Sequence, residues 1–188
     1  KITSTRDIDL LKRTPSSYLG SCRYKLPEIS EDRETFDKIF KILDDLDIKY
    51  FFYIGGNDSM DTIKKLSDYA IVTGSDIKFM GVPKTIDNDA WGTDYTFGYS
   101  SATAIATRYL DEIKTTAASH SRVFVIEVMG HKVGHICLSA GIAAGADVIL
   151  LPEIPYDIKV VAKKVKETLK NEKNYAIIAC AEGAISEA

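Results

Sequence analysis

A chain of 188 residues with 45% hydrophobic composition can bury one sizeable core or two small lobes, and a net charge of -3 supplies no basic field for a nucleic-acid backbone. The longest apolar runs, such as "VILLP" ending at Pro152, fall well short of the roughly 20 residues that a membrane helix needs. Cys22, Cys137 and Cys180 are widely spaced and odd in number, which reads as reduced thiols in a cytoplasmic protein.

In chain order, an irregular start to about residue 29 precedes "SEDRETFDKIFKILDDLD", where Phe36, Ile39, Phe40, Leu43 and Leu46 recur at helical spacing behind Ser30 as the expected cap. "KYFFYIGG" is a continuous apolar run ending in glycines, the pattern of a strand buried on both faces, so its aromatics Tyr50 to Tyr53 are assigned to the core. "DSMDTIKKLSDYA" predicts a helix, "IKFMGVP" a strand halted by Pro83, "SSATAIATRYLDEIKTTAA" a helix and "RVFVIEVMG" a strand. The alternation continues through "GHICLSAGIAAGAD", "VILLPE", "IKVVAKKVKETLKN" and "YAIIACAEG"; Val160, Val161, Val165 and Leu169 are the expected inner face of the penultimate of these. Strands alternating with helices predict a doubly wound α/β architecture with parallel sheets covered by helices. The Gly-, Thr- and Ser-rich "WGTDYTFGYSS" suits a crossing from one lobe to another. Lys1 at one end and "AEGAISEA" at the other look like cut edges, so the expectation is a piece of a longer protein.

Ligands of such sheets sit at the carboxyl ends of the strands, where "GGNDS", "PKTIDND", "MGH" and "AEG" would converge on one cleft. Gly55 and Gly56 run through Asn57 and Asp58 into a helix starting near Ser59; the unpaired N–H groups and positive dipole end there favour phosphate, although Asp58 or Ser59 can equally be an N-cap. Asp87 and Asp89, two apart, point to one side in extended backbone, and two neighbouring carboxylates favour a divalent cation or a raised proton affinity. Lys84 would neutralise phosphate oxygens. The alternative for "TIDND" is a turn whose Asp and Asn cap local backbone groups.

"GGNDS", "PKTIDND", "TDYTFGYSSA", "SHSRVFVIEVMGH" and "GIAAGADVILLPE" stand in the order and approximate spacing of phosphofructokinases, and the chain from about Gly20 to Glu182 resembles the middle of that family. The resemblance implies two Rossmann-like lobes, with residues 1–98 the later part of a phosphoryl-donor domain and 99–188 most of a sugar-phosphate domain, in a protein that forms homo-oligomers. It implies Asp87 as the base that deprotonates the 1-hydroxyl of fructose 6-phosphate, with Thr85 and Asp89 holding the transferring phosphoryl group and Mg2+. It places Arg23 near the sugar and phosphoryl site, Arg122 as the arginine that reaches a neighbouring subunit's fructose 6-phosphate, and Met129, Gly130 and Glu182 at the sugar. The ATP-using branch usually has glycine at the positions of Asp58 and Lys84, so both residues match the pyrophosphate-dependent branch and make pyrophosphate the expected donor. Two positions depart from the family pattern: Asn57 stands for an aspartate and His131 for an arginine. The nearest rival reading is an ATP-dependent phosphofructokinase with an unusual donor pocket; a rival of another class is a non-catalytic chain of the same fold, with those two departures as signs of decay, and His120 and His135 are assigned to structure.

Overall fold

The computed structural model describes residues 4–18, 20–171 and 173–187. Its elements run α1 (Thr5–Leu11), α2 (Arg33–Asp45), β1 (Tyr50–Gly55), α3 (Asn57–Thr73), β2 (Lys78–Thr85), β3 (Phe97–Gly98), α4 (Tyr99–His120), β4 (Val123–Val128), α5 (His135–Ala144), β5 (Val148–Leu150), α6 (Ile158–Lys170) and β6 (Ala176–Ala181). The named strands pair in parallel, in two sheets of order β1-β2-β3 and β4-β6-β5. This is the α/β architecture that the alternation predicts. The chain leaves the first sheet at Gly98, whose left-handed φ of 104° turns it directly into α4.

In the second sheet β6 lies between β4 and β5, so the step from β5 back to β6 reverses the direction of the step before it. Right-handed crossovers then put α6 on the face opposite α5. Ile177, Ala179 and Ala181 of β6 pack with Val128, Leu110, Ala117, Ile136 and Ala140 in one core. Gly141 lets α5 sit tightly on that face, since a Cβ there would lie 2.8 Å from Ile149. In the first sheet α2 and α3 cover one face through Phe36, Phe40, Leu66 and Tyr69, packed against Phe51 and Phe79.

The opposite face of that sheet is exposed: Tyr50, Phe52, Ile54 and Met80 stand in the open, which corrects the expectation of a strand buried on both faces. Among the described residues no second layer covers that face of the apolar run. Four further expectations are corrected. The amino-terminal stretch is not wholly irregular, because Ser4 and Asp7 form a reciprocal capping box that starts α1. Asp32, not Ser30, caps α2, accepting from the Thr35 amide at 3.1 Å and its hydroxyl at 2.6 Å. Pro83 does not halt β2: it stays in register with Gly55, and Lys84 and Thr85 extend the strand to pair with Phe97 and Gly98. On α6, Val161 and Val165 are half-buried while Val160 and Leu169 are exposed, so the inner face is narrower than the sequence stripe.

Candidate phosphoryl-transfer site

A cavity of about 1310 Å³ opens at the carboxyl ends of β1 and β2, walled on one side by residues 20–25 and reached from the second sheet by His131. Gly55 and Gly56 have different reasons to be glycine. A Cβ at Gly55 would lie 2.0 Å from the Ser59 hydroxyl, so this glycine lets α3 dock on the strand end. A Cβ at Gly56 would meet nothing closer than the Lys84 carbonyl at 3.8 Å, which leaves open space above the N-cap of α3. Helix α3 starts at Asn57 and has no side-chain cap, so the alternative of Asp58 or Ser59 as a cap is set aside. The first-turn amides of an uncapped helix keep their affinity for an anion.

Residues 86–96 bridge β2 to β3, and the turn reading of this segment holds for its asparagine. Asn88 takes a left-handed φ of 57°, so Asp87 and Asp89 are not on extended backbone. The Asn88 amide donates to the Asp94 carbonyl at 3.1 Å and its oxygen accepts from the Thr96 amide at 2.9 Å. Buried Thr96 also donates its hydroxyl to the Thr85 carbonyl at 2.7 Å. Ile86 packs against the second core and Ala90 is buried, so apolar anchors alternate with the carboxylates. Asp87 donates its own amide to the Thr85 hydroxyl at 3.2 Å. Asp89 Oδ2 accepts from Asn57 Nδ2 at 2.9 Å, whereas Asp89 Oδ1 is buried with no hydrogen-bond partner.

Arg23, Lys25 and Lys84 line this cavity together with Asp58, Asp87 and Asp89. No ion pair links any two of the six among the described residues. Unpaired charges of both signs around one hollow suit a polyanion that arrives with a cation. Lys25, Tyr24 and Thr62 also line the cavity and were missed by sequence reasoning; the signal for Lys25 was its place two residues after Arg23 in "SCRYK". A magnesium ion fits the donor set. Asp89 Oδ1 is an orphaned hard oxygen and Asp87 supplies further carboxylate oxygens, while no cluster of three or more His, Cys, Asp or Glu side chains forms a complete cage among the described residues. Two carboxylates of this kind would hold the ion only together with phosphate oxygens from a ligand.

The carboxyl end of the second sheet is built differently. Glu182 Oε1 accepts from the amides of Gly130 at 2.9 Å and His131 at 2.5 Å, and these two backbone donors hold its carboxyl below the usual range. Gly130 has φ 156° and a Cβ there would lie 2.5 Å from the Val133 carbonyl; His131 follows with φ 54°. His131 lines the cavity, but Glu182 reaches it only through this turn, and Met129 is exposed outside the lining. Arg122 precedes the opposite end of β4 and is not brought to the cavity within this chain. His135 meets Tyr99 edge-on at 6.4 Å between α4 and α5, while His120 sits in the last turn of α4.

A family model described as Phosphofructokinase matches residues 1–188. The chain belongs to the phosphofructokinase family. It is 49% identical over 134 residues to an ATP-dependent 6-phosphofructokinase 3 of Bacteroides thetaiotaomicron, covering 71% of this chain and 38% of that protein. It is 47% identical over 152 residues to a pyrophosphate–fructose 6-phosphate 1-phosphotransferase of Amycolatopsis methanolica, covering 80% of this chain and 42% of that one. The crystal structure of a pyrophosphate-dependent phosphofructokinase from Nitrosospira multiformis superposes with a TM-score of 0.87 at 34% identity, over 98% of this chain and 47% of that one. The chain spans about half the length of the curated relatives it matches. Among the described residues no helix is long and apolar enough to cross a membrane.

Proposed function

We propose that the full-length protein is a cytoplasmic, magnesium-dependent phosphotransferase that uses pyrophosphate to phosphorylate the 1-hydroxyl of fructose 6-phosphate, in either direction. The observation that carries this reading is the shared cavity of Asp58 and Lys84 beside the loop of Asp87 and Asp89. A carboxylate at Asp58 at the mouth of α3 repels the further phosphate of a nucleotide, and Lys84 gives a free pyrophosphate end a cation in place of those contacts. Asp87 takes the proton of the attacking hydroxyl, with its backbone held by the Thr85 hydroxyl. Thr85, Arg23 and Lys84 contact the phosphoryl oxygens, and the first-turn amides after Gly55 and Gly56, around Asn57 and Ser59, receive the donor's far phosphate. Asp87 and Asp89 would hold magnesium, which when bound neutralises charge on the transferred group.

Residues 1–98 form the donor side of this reading. Residues 99–188 supply the sugar side, where His131 takes the place of an arginine toward phosphate and the sugar lies by Met129, Gly130 and Glu182. Arg122, at the far end of β4, acts on a neighbouring subunit's substrate in a homo-oligomer. A second reading has its own support: the relatives include ATP-dependent enzymes at up to 50% identity, so the same loop in an ATP-dependent 6-phosphofructokinase is the direct competitor. The deciding experiment assays the full-length protein with fructose 6-phosphate and magnesium, with pyrophosphate and ATP supplied separately. Turnover with pyrophosphate is expected; turnover with ATP alone would replace the donor, and none with either would favour a non-catalytic chain.

A further inference from the structure

Among the described residues Lys65 is the one charged residue that is buried, with 9% of its side chain exposed. It sits on α3 one turn after Thr62, which lines the cavity, and its ammonium has three acceptors: Asp61 Oδ2 at 2.8 Å on the same helix, Glu28 Oε1 at 2.8 Å and the Leu26 carbonyl at 3.1 Å. An ammonium carries three N–H donors, so each of them is used. A buried charge is costly unless it is paired and hydrogen-bonded, and here two of the three acceptors belong to the segment before α2 and not to the helix itself.

That segment carries one wall of the cavity. Residues 21–25 line it, yet among the described residues they make no hydrogen bond or ion pair. The first fixed point after them is Leu26, whose side chain enters the first core while its carbonyl accepts from Lys65.

We propose that Lys65 is a positioning residue that ties the arginine-bearing wall of the cavity to the donor helix. Lys65 lies outside the cavity lining and about two turns after the first amides of α3, so its bonds set how far Arg23 stands from those amides. The inference rests on the phosphotransferase reading for what Arg23 contacts; the tie itself stands apart from it.

The test compares the wild-type full-length protein with Lys65→Met, which keeps an apolar stem and removes the ammonium. In the ligand-free protein, tryptic cleavage after Arg23 and Lys25 is expected to quicken roughly tenfold, as the loss of a hydrogen bond to a charged group predicts. The kcat/KM for the donor, whichever of pyrophosphate and ATP turns over, is expected to fall about tenfold with KM for fructose 6-phosphate unchanged. In an Arg23→Ala background the same substitution should cost no further donor kcat/KM, because the tie acts through that arginine. A merely structural lysine would lower the melting midpoint and leave these ratios alone. Should Lys65→Met fail to fold, Glu28→Ala removes one exposed acceptor and should move the same readouts by less. Unchanged tryptic rates at these two bonds overturn the inference, as does a full additional loss in the Arg23→Ala background. Turnover with ATP alone would remove the pyrophosphate reading and leave the Lys65 result standing; with no turnover from either donor the tryptic rates decide it.

Discussion

The carboxyl ends of the two sheets carry similar inventories of polar residues and treat them oppositely. At the first sheet the charged groups are left over: Lys84, Asp58, Asp87 and Asp89 share a cavity with Arg23 and Lys25, no two of them ion-paired among the described residues, and one oxygen of Asp89 is buried without a partner. At the second sheet the charge is used up internally, since Glu182 spends one oxygen on two amides of the Gly130–His131 turn. Burying or crowding unsatisfied polar groups costs free energy, so a fold keeps them where a ligand completes them. The satisfied end presents shape; the unsatisfied end presents chemistry.

Removing the proposed base tests that contrast most severely. Asp87→Asn keeps a polar side chain of the same size and leaves the backbone bond to Thr85 in place, so substrate binding should survive. Turnover should fall by roughly 10²–10⁴-fold, the span of a positioned general base. A steady-state assay with kcat and KM separated checks this, and retained kcat would show that the cluster at the first sheet is not the reacting one.

The donor choice comes next in size. Lys84→Gly should raise KM for pyrophosphate by roughly tenfold to a hundredfold, as expected for loss of one charge-assisted contact of about 1.5–3 kcal/mol. Pairing it with Asp58→Gly should narrow the gap between pyrophosphate and ATP. Equal kinetics for wild type and the double variant with both donors would detach these residues from donor selection.

How much of this was legible in the sequence follows from how local each signal is. The alternation of strands and helices, the Gly55–Gly56 turn and the "PKTIDND" loop were readable because their cues lie within a few residues. The cover of β1 was not: "YFFYIGG" is apolar throughout, and only the three-dimensional arrangement shows that Phe51 meets helices while Phe52 meets none. Pairing through Pro83 was hidden because proline lacks an N–H on one side only, and β2 gains β3 as a partner just beyond it. The geometry of Asp87 and Asp89 turned on the left-handed Asn88, whose bonds to Asp94 and Thr96 are as much a part of the site as the carboxylates. Asn57 was recognised as a departure, but its partner 32 positions away needed the fold.

At the second sheet, pH separates a structural carboxylate from a chemical one. The Glu182 carboxyl is held below its ordinary value by the Gly130 and His131 amides. A depressed folded-state value stabilises the fold above the unfolded value and loses that contribution as pH falls through the folded one. Glu182→Gln should therefore lower the melting midpoint at neutral pH, with the difference shrinking as pH falls below about 4.3, the ordinary glutamate value. A difference that stays constant down to pH 3 would mean that the charge does not hold the turn.

The three cysteines give the smallest and most local test, because they sample the cavity wall, the sheet and the helix core in one experiment. Cys22 is exposed and lines the cavity, Cys180 is half-buried on β6, and Cys137 is buried in α5, where burial pushes its thiol up to about 11. The thiolate is the reacting species, so at pH 8 iodoacetamide should modify Cys22 first and Cys137 last. Pyrophosphate with magnesium should slow only Cys22, because only that thiol shares the cavity with the proposed donor. Peptide mass mapping over time reads all three together. Protection of Cys180 in place of Cys22 would move the occupied site to the second sheet and reverse the contrast between the two strand ends.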